Sequence, residues 1–171
     1  MDAMDVAMLI LRVAVGGTFI AHGYNHAFGP GGLAGTARWF DSMGMKYASV
    51  QALLSAAVEI AAGLGLVLGL LTPLMAAALI SVCAVATVTA HRKNGFFVFK
   101  DGYEYVLLLA LTCVAVAVAG PGSLSVDHGM GIDALSSGWA GAGIAAVLGV
   151  GGAVVLLAVS WRPAPAPAQT K

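Results

Sequence analysis

Five ionisable side chains fall within or at the ends of long apolar stretches: Arg12, His22, Glu59, His91 and Glu104, with His26 one helical turn beyond His22. A charge held in hydrocarbon costs at least ~2.5–3 kcal/mol on insertion scales, so each of these groups needs a partner or a polar cavity. Arg12 and Glu59 both sit toward the middle of their stretches. The long arginine stem can bridge a difference in depth, so these two are expected to form a buried ion pair. Such a pair can gate a polar path or only fix helix register. His22 and His26 are four residues apart and share one helical face. His91, Glu104 and the adjacent Tyr103 lie at the ends of two further stretches, on the same side of the membrane. Together these groups form a candidate ligand pocket. Three occupancies compete: a quinone headgroup or small redox-active ligand, a metal, and water alone in a hydrogen-bonded mouth. His-x3-His with a third ligand suits zinc, but no metal ligand is assigned. Two histidines on one helix face cannot take opposite sides of one haem iron. No residue is given a catalytic role.

The elements that must position these groups are membrane helices. Of 171 residues, 60% are hydrophobic and only 9% are charged. The mean hydropathy is +0.92. A soluble domain carries about 25% charged residues, so there is too little charge here to cover a water-facing surface. The net charge is +0, and no segment is basic enough to hold nucleic acid. Cys83 and Cys113 lie deep in neighbouring apolar stretches and form no CxxC pair. They read as small packed hydrophobes, near enough in depth to touch. The acidic start, Met1-Asp2-Ala3-Met4-Asp5, is unlike a cleavable signal peptide.

Five spans are expected: Met4 to Phe28, Tyr47 to Leu71, Pro73 to His91, Gly102 to Gly120 and Trp139 to Trp161. Each is long enough to cross a ~30 Å hydrocarbon core. Glycine and proline mark the breaks at 29–32, 72–73 and 120–122. Leu33 to Met43 reads as a short helix lying in the interface, with Leu33, Phe40 and Met43 on one face and Arg38 and Asp41 on the other. Trp139 and Trp161 bracket the last span as interfacial anchors. Small residues spaced by four in that span (Gly141, Ala145, Gly149, Ala153) suit close helix packing. Phe96, Phe97, Phe99 and Tyr103 line the pocket or anchor their loop at the interface. Lys and Arg gather in alternate connections: Arg38 and Lys46, then Arg92, Lys93 and Lys100, then Arg162 and Lys171. The remaining ends carry Asp2, Asp5, Asp127 and Asp133. The positive-inside bias therefore puts the N-terminus outside and the C-terminus in the cytoplasm of a plasma-membrane protein. The Pro/Ala-rich tail, 162–171, is expected to be disordered.

The chain resembles the DoxX family of small integral membrane proteins. Leu11-Arg12, His22-Gly23, Glu59-Ile60-Ala61-Ala62-Gly63, Leu68-Gly69-Leu70, Ala90-His91, Lys93-Asn94-Gly95-Phe96-Phe97 and Gly102-Tyr103-Glu104-Tyr105 carry the likeness, in that order. It covers roughly residues 5–127 and closes at Pro121-Gly122. The resemblance implies a four-helix transmembrane core over 1–127, to which 128–161 adds a fifth, C-terminal helix. It implies that Arg12, His22, Glu59, His91 and Glu104 stand at the family's polar positions, whereas His26 replaces a common lysine. It also implies a redox association, through likeness to the membrane subunit of thiosulfate:quinone oxidoreductase and to membrane complexes with superoxide dismutase and a sulfurtransferase. The expectation is therefore an all-α membrane subunit of a redox complex. Its expected partners are the lipid bilayer and proteins docking through helix 138–161 or the loops. Its ligand would be a quinone or a small sulfur or thiol compound in a cytoplasm-facing pocket. Without CxxC, haem or nucleotide motifs, the chain is not expected to be a complete enzyme alone. A small-molecule transporter and a purely structural accessory subunit are the alternatives.

Overall fold

A computed structural model describes residues 2–132, 134 and 137–163. Helices account for the architecture: α1 (Ala3–Phe28), α2 (Gly32–Ser42), α3 (Ala48–Leu68), α4 (Thr72–Ala86), α5 (Glu104–Ala119), α6 (Val126–Gly129) and α7 (Gly138–Ser160). α4 runs on through a π turn, Thr87–His91, and a 3-10 turn, Arg92–Asn94. Among the described residues, four units are long and apolar enough to cross a membrane: Ala3–Phe28, Ala48–Leu68, Thr72–Asn94 and Gly138–Ser160. The chain is thus a multi-pass, all-α membrane protein. The expected fourth span is shorter: α5 has 16 residues, about 24 Å of helix. It lies in the bundle core through Leu109, Cys113, Val116 and Ala117.

Local chemistry starts and stops these helices. Asp2 caps α1, accepting from Asp5 N while Asp5 accepts from Asp2 N; this satisfies two otherwise orphaned donors. A helix, α2, stands at Gly32–Ser42, where a short one was expected over Leu33 to Met43. The turn between α3 and α4 is tight and unusual. Leu71, a non-glycine residue, takes a φ of +47°, a conformation that costs energy unless its surroundings hold it. Asp127 holds it, accepting hydrogen bonds from Leu71 N at 2.6 Å and Thr72 N at 2.9 Å. Asp127 was expected in an outer loop; it is 0% exposed.

Glycine sets the register of α1 against antiparallel α3. A Cβ on Gly16 would stand 2.5 Å from Gly63 O, and one on Gly63 would stand 2.7 Å from Gly16 O. The two backbones therefore touch directly. Gly63→Leu is expected to destabilise the protein by about 1–3 kcal/mol or more through overpacking. Gly17→Ala is the control, because a Cβ there meets nothing within 4 Å, and alanine favours helix by about 1 kcal/mol. Thermal unfolding in mild detergent measures both; equal melting temperatures would remove glycine contact as the source of register.

α7 packs on α4 through the small-residue stripe. Gly141, Ala145, Gly149 and Ala153 are its buried positions, and a Cβ on Gly149 would meet Ile80 Cγ2 at 2.8 Å. The neighbour these residues fit is thus a helix of the same chain. The end of α7 is tied to the α2–α3 connection. Met45 and Trp161 form an antiparallel bridge. Lys46 N donates to Ser160 O at 2.7 Å and Arg162 N donates to Gly44 O at 2.8 Å. Trp161 Nε1 donates to Met43 O at 2.9 Å, and the Arg92 guanidinium lies 5.4 Å from the Trp161 ring. Arg162, assigned to a free tail by composition, is therefore held by backbone pairing. The rest of that tail, 164–171, lies outside the described residues, as does Asp133.

Candidate functional site

Arg12 and Glu59 do not pair. Arg12 is 0% exposed; its Nη1 donates to Val67 O at 3.0 Å and its Nη2 to Leu124 O. The nearby charge acting on it is that of Asp127. The expected ion pair fails because of register. Gly16 faces Gly63, so one turn toward the N-terminus Arg12 falls opposite Val67, two turns of α3 away from Glu59. Helical side chains also lean toward the N-terminus, which carries the guanidinium further from Glu59. Arg12 instead clasps α1, the end of α3 and the 122–127 segment together. Asp5 adds to the clasp, its Oδ1 accepting from Ser123 N at 2.7 Å.

Glu59 stands at the other polar level of the bundle. It is 2% exposed. Its Oε1 accepts from Ser55 Oγ one turn earlier and lies 3.7 Å from His26 Nε2. Among the described residues no hydrogen bond reaches Oε2. Gly23 lets α1 come close here, since a Cβ on it would stand 2.8 Å from Ala56 O and 3.0 Å from Glu59 Cβ. Glu59 faces a cavity of about 1010 Å³.

His22, His26 and His91 also line this cavity. The His26 ring stacks on Trp39 of α2 at 6.0 Å and meets Phe40 edge-on. Thr36 Oγ1 fastens α2 to the end of α1 by donating to His26 O at 2.9 Å. The ring centroids of His22 and Tyr105 are 6.2 Å apart. His91 is oriented by Asp101, whose carbonyl O lies 2.9 Å from Nδ1 and whose Oδ1 lies 3.5 Å from it. The π turn presents His91. Thr87 and Thr89 turn their hydroxyls back onto Cys83 O and Val85 O at 2.8 and 2.9 Å. Such back-bonding competes with the regular helix ladder, and π turns recur at functional sites.

Glu104 and Tyr103 are not brought to this cavity. Glu104 Oε2 accepts from Val98 N at 2.9 Å and so fixes the loop before α5. The Tyr103 ring packs edge-on against Phe96 at 5.6 Å. The aromatic cluster thus builds the loop, while Asp101 and Tyr105 of the same segment reach the cavity. Among the described residues no group of three or more His, Cys, Asp or Glu is placed to share a metal ion. Sequence reasoning missed Ser55, Gln51 and Trp39 as cavity residues. Only Ser55 left a signal, being one helical turn from Glu59 on the same face.

The cavity therefore couples one buried carboxylate and three histidines to an apolar lining that includes Phe19, Leu109 and Cys83. The polar levels on α1 and α3 are those of the resemblance, and the DoxX family model matches residues 7–92. This chain belongs to the DoxX family. The matched region spans α1 to the end of the α4 unit and so contains Arg12, His22, His26, Glu59 and His91. α5 and α7 lie beyond it. No curated protein and no solved structure matches the chain.

Proposed function

We propose that this DoxX protein is the ligand-binding membrane subunit of a redox complex, taking a quinone-type headgroup, or a small sulfur or thiol compound, in the cavity at Glu59. The observation that carries the reading is the nearly wholly buried carboxylate of Glu59, whose Oε2 has no hydrogen bond among the described residues and which borders a cavity of about 1010 Å³. Ser55 and His26 engage Oε1, which leaves Oε2 for a ligand donor. A hydroquinone hydroxyl or a thiol can donate to Glu59, while His22 or His26 donates to a quinone carbonyl. Trp39 and Phe19 add aromatic surface to the cavity lining. The role of this chain is to bind and orient the headgroup; electrons would pass to or from partner proteins carried on the outward faces of the bundle, α7 included. The cavity lies toward the end where Arg38, Lys46, Arg92, Lys93, Lys100 and Arg162 gather, which the charge bias makes cytoplasmic.

The test is purification in mild detergent, organic extraction of bound small molecules, and titration of the emptied protein with a short-chain benzoquinone followed by tryptophan fluorescence. Trp39 sits at the cavity and should be quenched saturably. An extract without quinone or thiol, together with no saturable quenching, would leave the family's redox association without a binding site in this chain.

A further inference from the structure

Glu59 lies deep in the bundle, and its polar connections lead to only one end of it. The stretch from Ala48 to Glu59 is about 16 Å of helix, which puts the carboxylate near mid-span. Toward the start of α3 the cavity lining runs out to Val98 and Asp101. Both lie in the connection past the Thr72–Asn94 span; Val98 is 53% exposed and the Asp101 side chain 79%. The ionisable groups of the lining stand on this side. His26 Nε2 is 3.7 Å from Glu59 Oε1. His22, one turn away along α1, lies beside Tyr105 of α5. His91 and Asp101 stand together at the mouth. α4 also contributes the buried Cys83, whereas α2 and α7 supply no ionisable residue to the lining. The opposite side is closed. Leu66, Ala76 and Leu79 are 0% exposed, and α1 touches α3 backbone to backbone at Gly16 and Gly63. Beyond that layer Arg12 donates to Val67 O and Leu124 O, and an arginine does not give up its proton in a protein. The Asp127 carboxylate is taken by the amides of Leu71 and Thr72. The arm of the cavity toward Leu74 passes Ala77, Ala78 and Leu148 and carries no ionisable group among the described residues.

We propose that the cavity is a one-sided proton well: Glu59 gains and loses its proton only from the face where His91 and Asp101 stand, with His91 as the relay at the mouth. The hydrogen bonding of His91 suits that task. Its Nδ1 lies 2.9 Å from the carbonyl O of Asp101. A carbonyl only accepts, so Nδ1 carries the hydrogen of the neutral ring and Nε2 keeps its lone pair. Among the described residues no hydrogen bond reaches Nε2, on a ring that lines the cavity. Asp101 Oδ1, 3.5 Å from Nδ1, lies opposite the charge the ring carries once Nε2 is protonated. A proton leaving Glu59 passes through cavity water to His91 Nε2, and the ring then gives one proton to the water outside. Loading runs the same steps backwards. Water is the carrier because the space is far larger than one molecule needs and has polar partners at Ser55, Glu59 and the histidines. Chains of acidic and histidine side chains inside spans mark such routes in membrane proteins. The well needs no ligand, so it stands even if the headgroup reading fails.

The test follows the Glu59 carboxyl by infrared difference spectroscopy of the full-length protein in proteoliposomes, its band identified by loss in Glu59→Gln. The lumen is strongly buffered and the outer pH is stepped. Trypsin added outside cuts the connection at Arg92, Lys93 and Lys100 only in molecules that turn it outward, and so measures orientation. In two preparations of different orientation, the share of the band that responds at once should equal the share of molecules with that connection outward. A band that responds in full, one that tracks the opposite orientation, or one that does not respond overturns the one-sided well. His91→Ala should slow the response roughly a hundredfold, the low end for a positioned proton-transfer group, without changing its final amplitude. Free imidazole in the outer buffer should restore the rate. His91→Gln, which can still donate to Asp101 O but has no ring to protonate, should be as slow as His91→Ala. Full amplitude shows that the surroundings of Glu59 are intact in each variant. A rate unchanged in His91→Gln, or a slowed rate in His91→Ala that imidazole does not restore, removes His91 as the relay.

Discussion

Arg12→Met should lower stability by about 3–5 kcal/mol, the range for removing one member of a buried charged network. Methionine keeps much of the volume, so the loss reports hydrogen bonds and charge rather than a cavity. Val67 O and Leu124 O lose their donor, and the fully buried Asp127 loses the positive charge nearby. Arg12→Lys should recover only part of the loss. One ammonium must replace two guanidinium nitrogens that serve carbonyls on two different segments. Unfolding in detergent, followed by tryptophan fluorescence, gives the values. A double-mutant cycle with Glu59→Gln adds a sharper readout. Because Arg12 and Glu59 do not touch, their effects should add to within about 0.5 kcal/mol. A coupling well above that would restore the mid-membrane ion pair that the register denies.

Glu59→Gln should weaken headgroup binding roughly ten- to hundredfold, since a hydrogen bond to a charged group contributes about 1.5–3 kcal/mol. It should leave stability unchanged or raise it. Glutamine fills the same space and can still accept from Ser55, but it carries no charge to bury. The two signs together are diagnostic. Weaker binding at constant melting temperature marks a ligand group, whereas a lower melting temperature with unaltered binding would make Glu59 part of the scaffold. His26→Ala gives an independent arm, because it removes the ring 3.7 Å from Oε1 and its stacking on Trp39 while leaving the carboxylate in place.

Hydropathy and length made the long helices legible, and the two-faced pattern of Leu33 to Met43 made the short helix between α1 and α3 legible. Element boundaries agree closely because glycine and proline punctuate a chain that is otherwise apolar. The histidine cluster was legible too: four-residue spacing put His22 and His26 on one face, and they share a cavity with His91. Register was not. Two antiparallel apolar helices can slide past one another without changing the pattern of either, and the Gly16–Gly63 contact that stops them is invisible until the pairing is known. A small error in depth moved Arg12 from Val67 to Glu59 and turned two separate polar levels into one ion pair. Asp127 was misjudged for a related reason. A carboxylate in a short glycine-flanked segment reads as solvated, and nothing local reveals the strained Leu71 turn whose amides it caps. Glu104 shows the reverse: its place at a helix start suggested a pocket, but it serves the neighbouring loop.

The stitch between Trp161 and the residues around Gly44 has a consequence for biogenesis. Trp161 and Met43 are 118 positions apart, and a chain is made from its N-terminus onward. While the ribosome is still synthesising the later helices, the carbonyls of Met43 and Gly44 wait without these donors. The last helix then closes a ring that the first loop left open. A nascent chain stopped anywhere before residue 160 lacks the donors that close this seam.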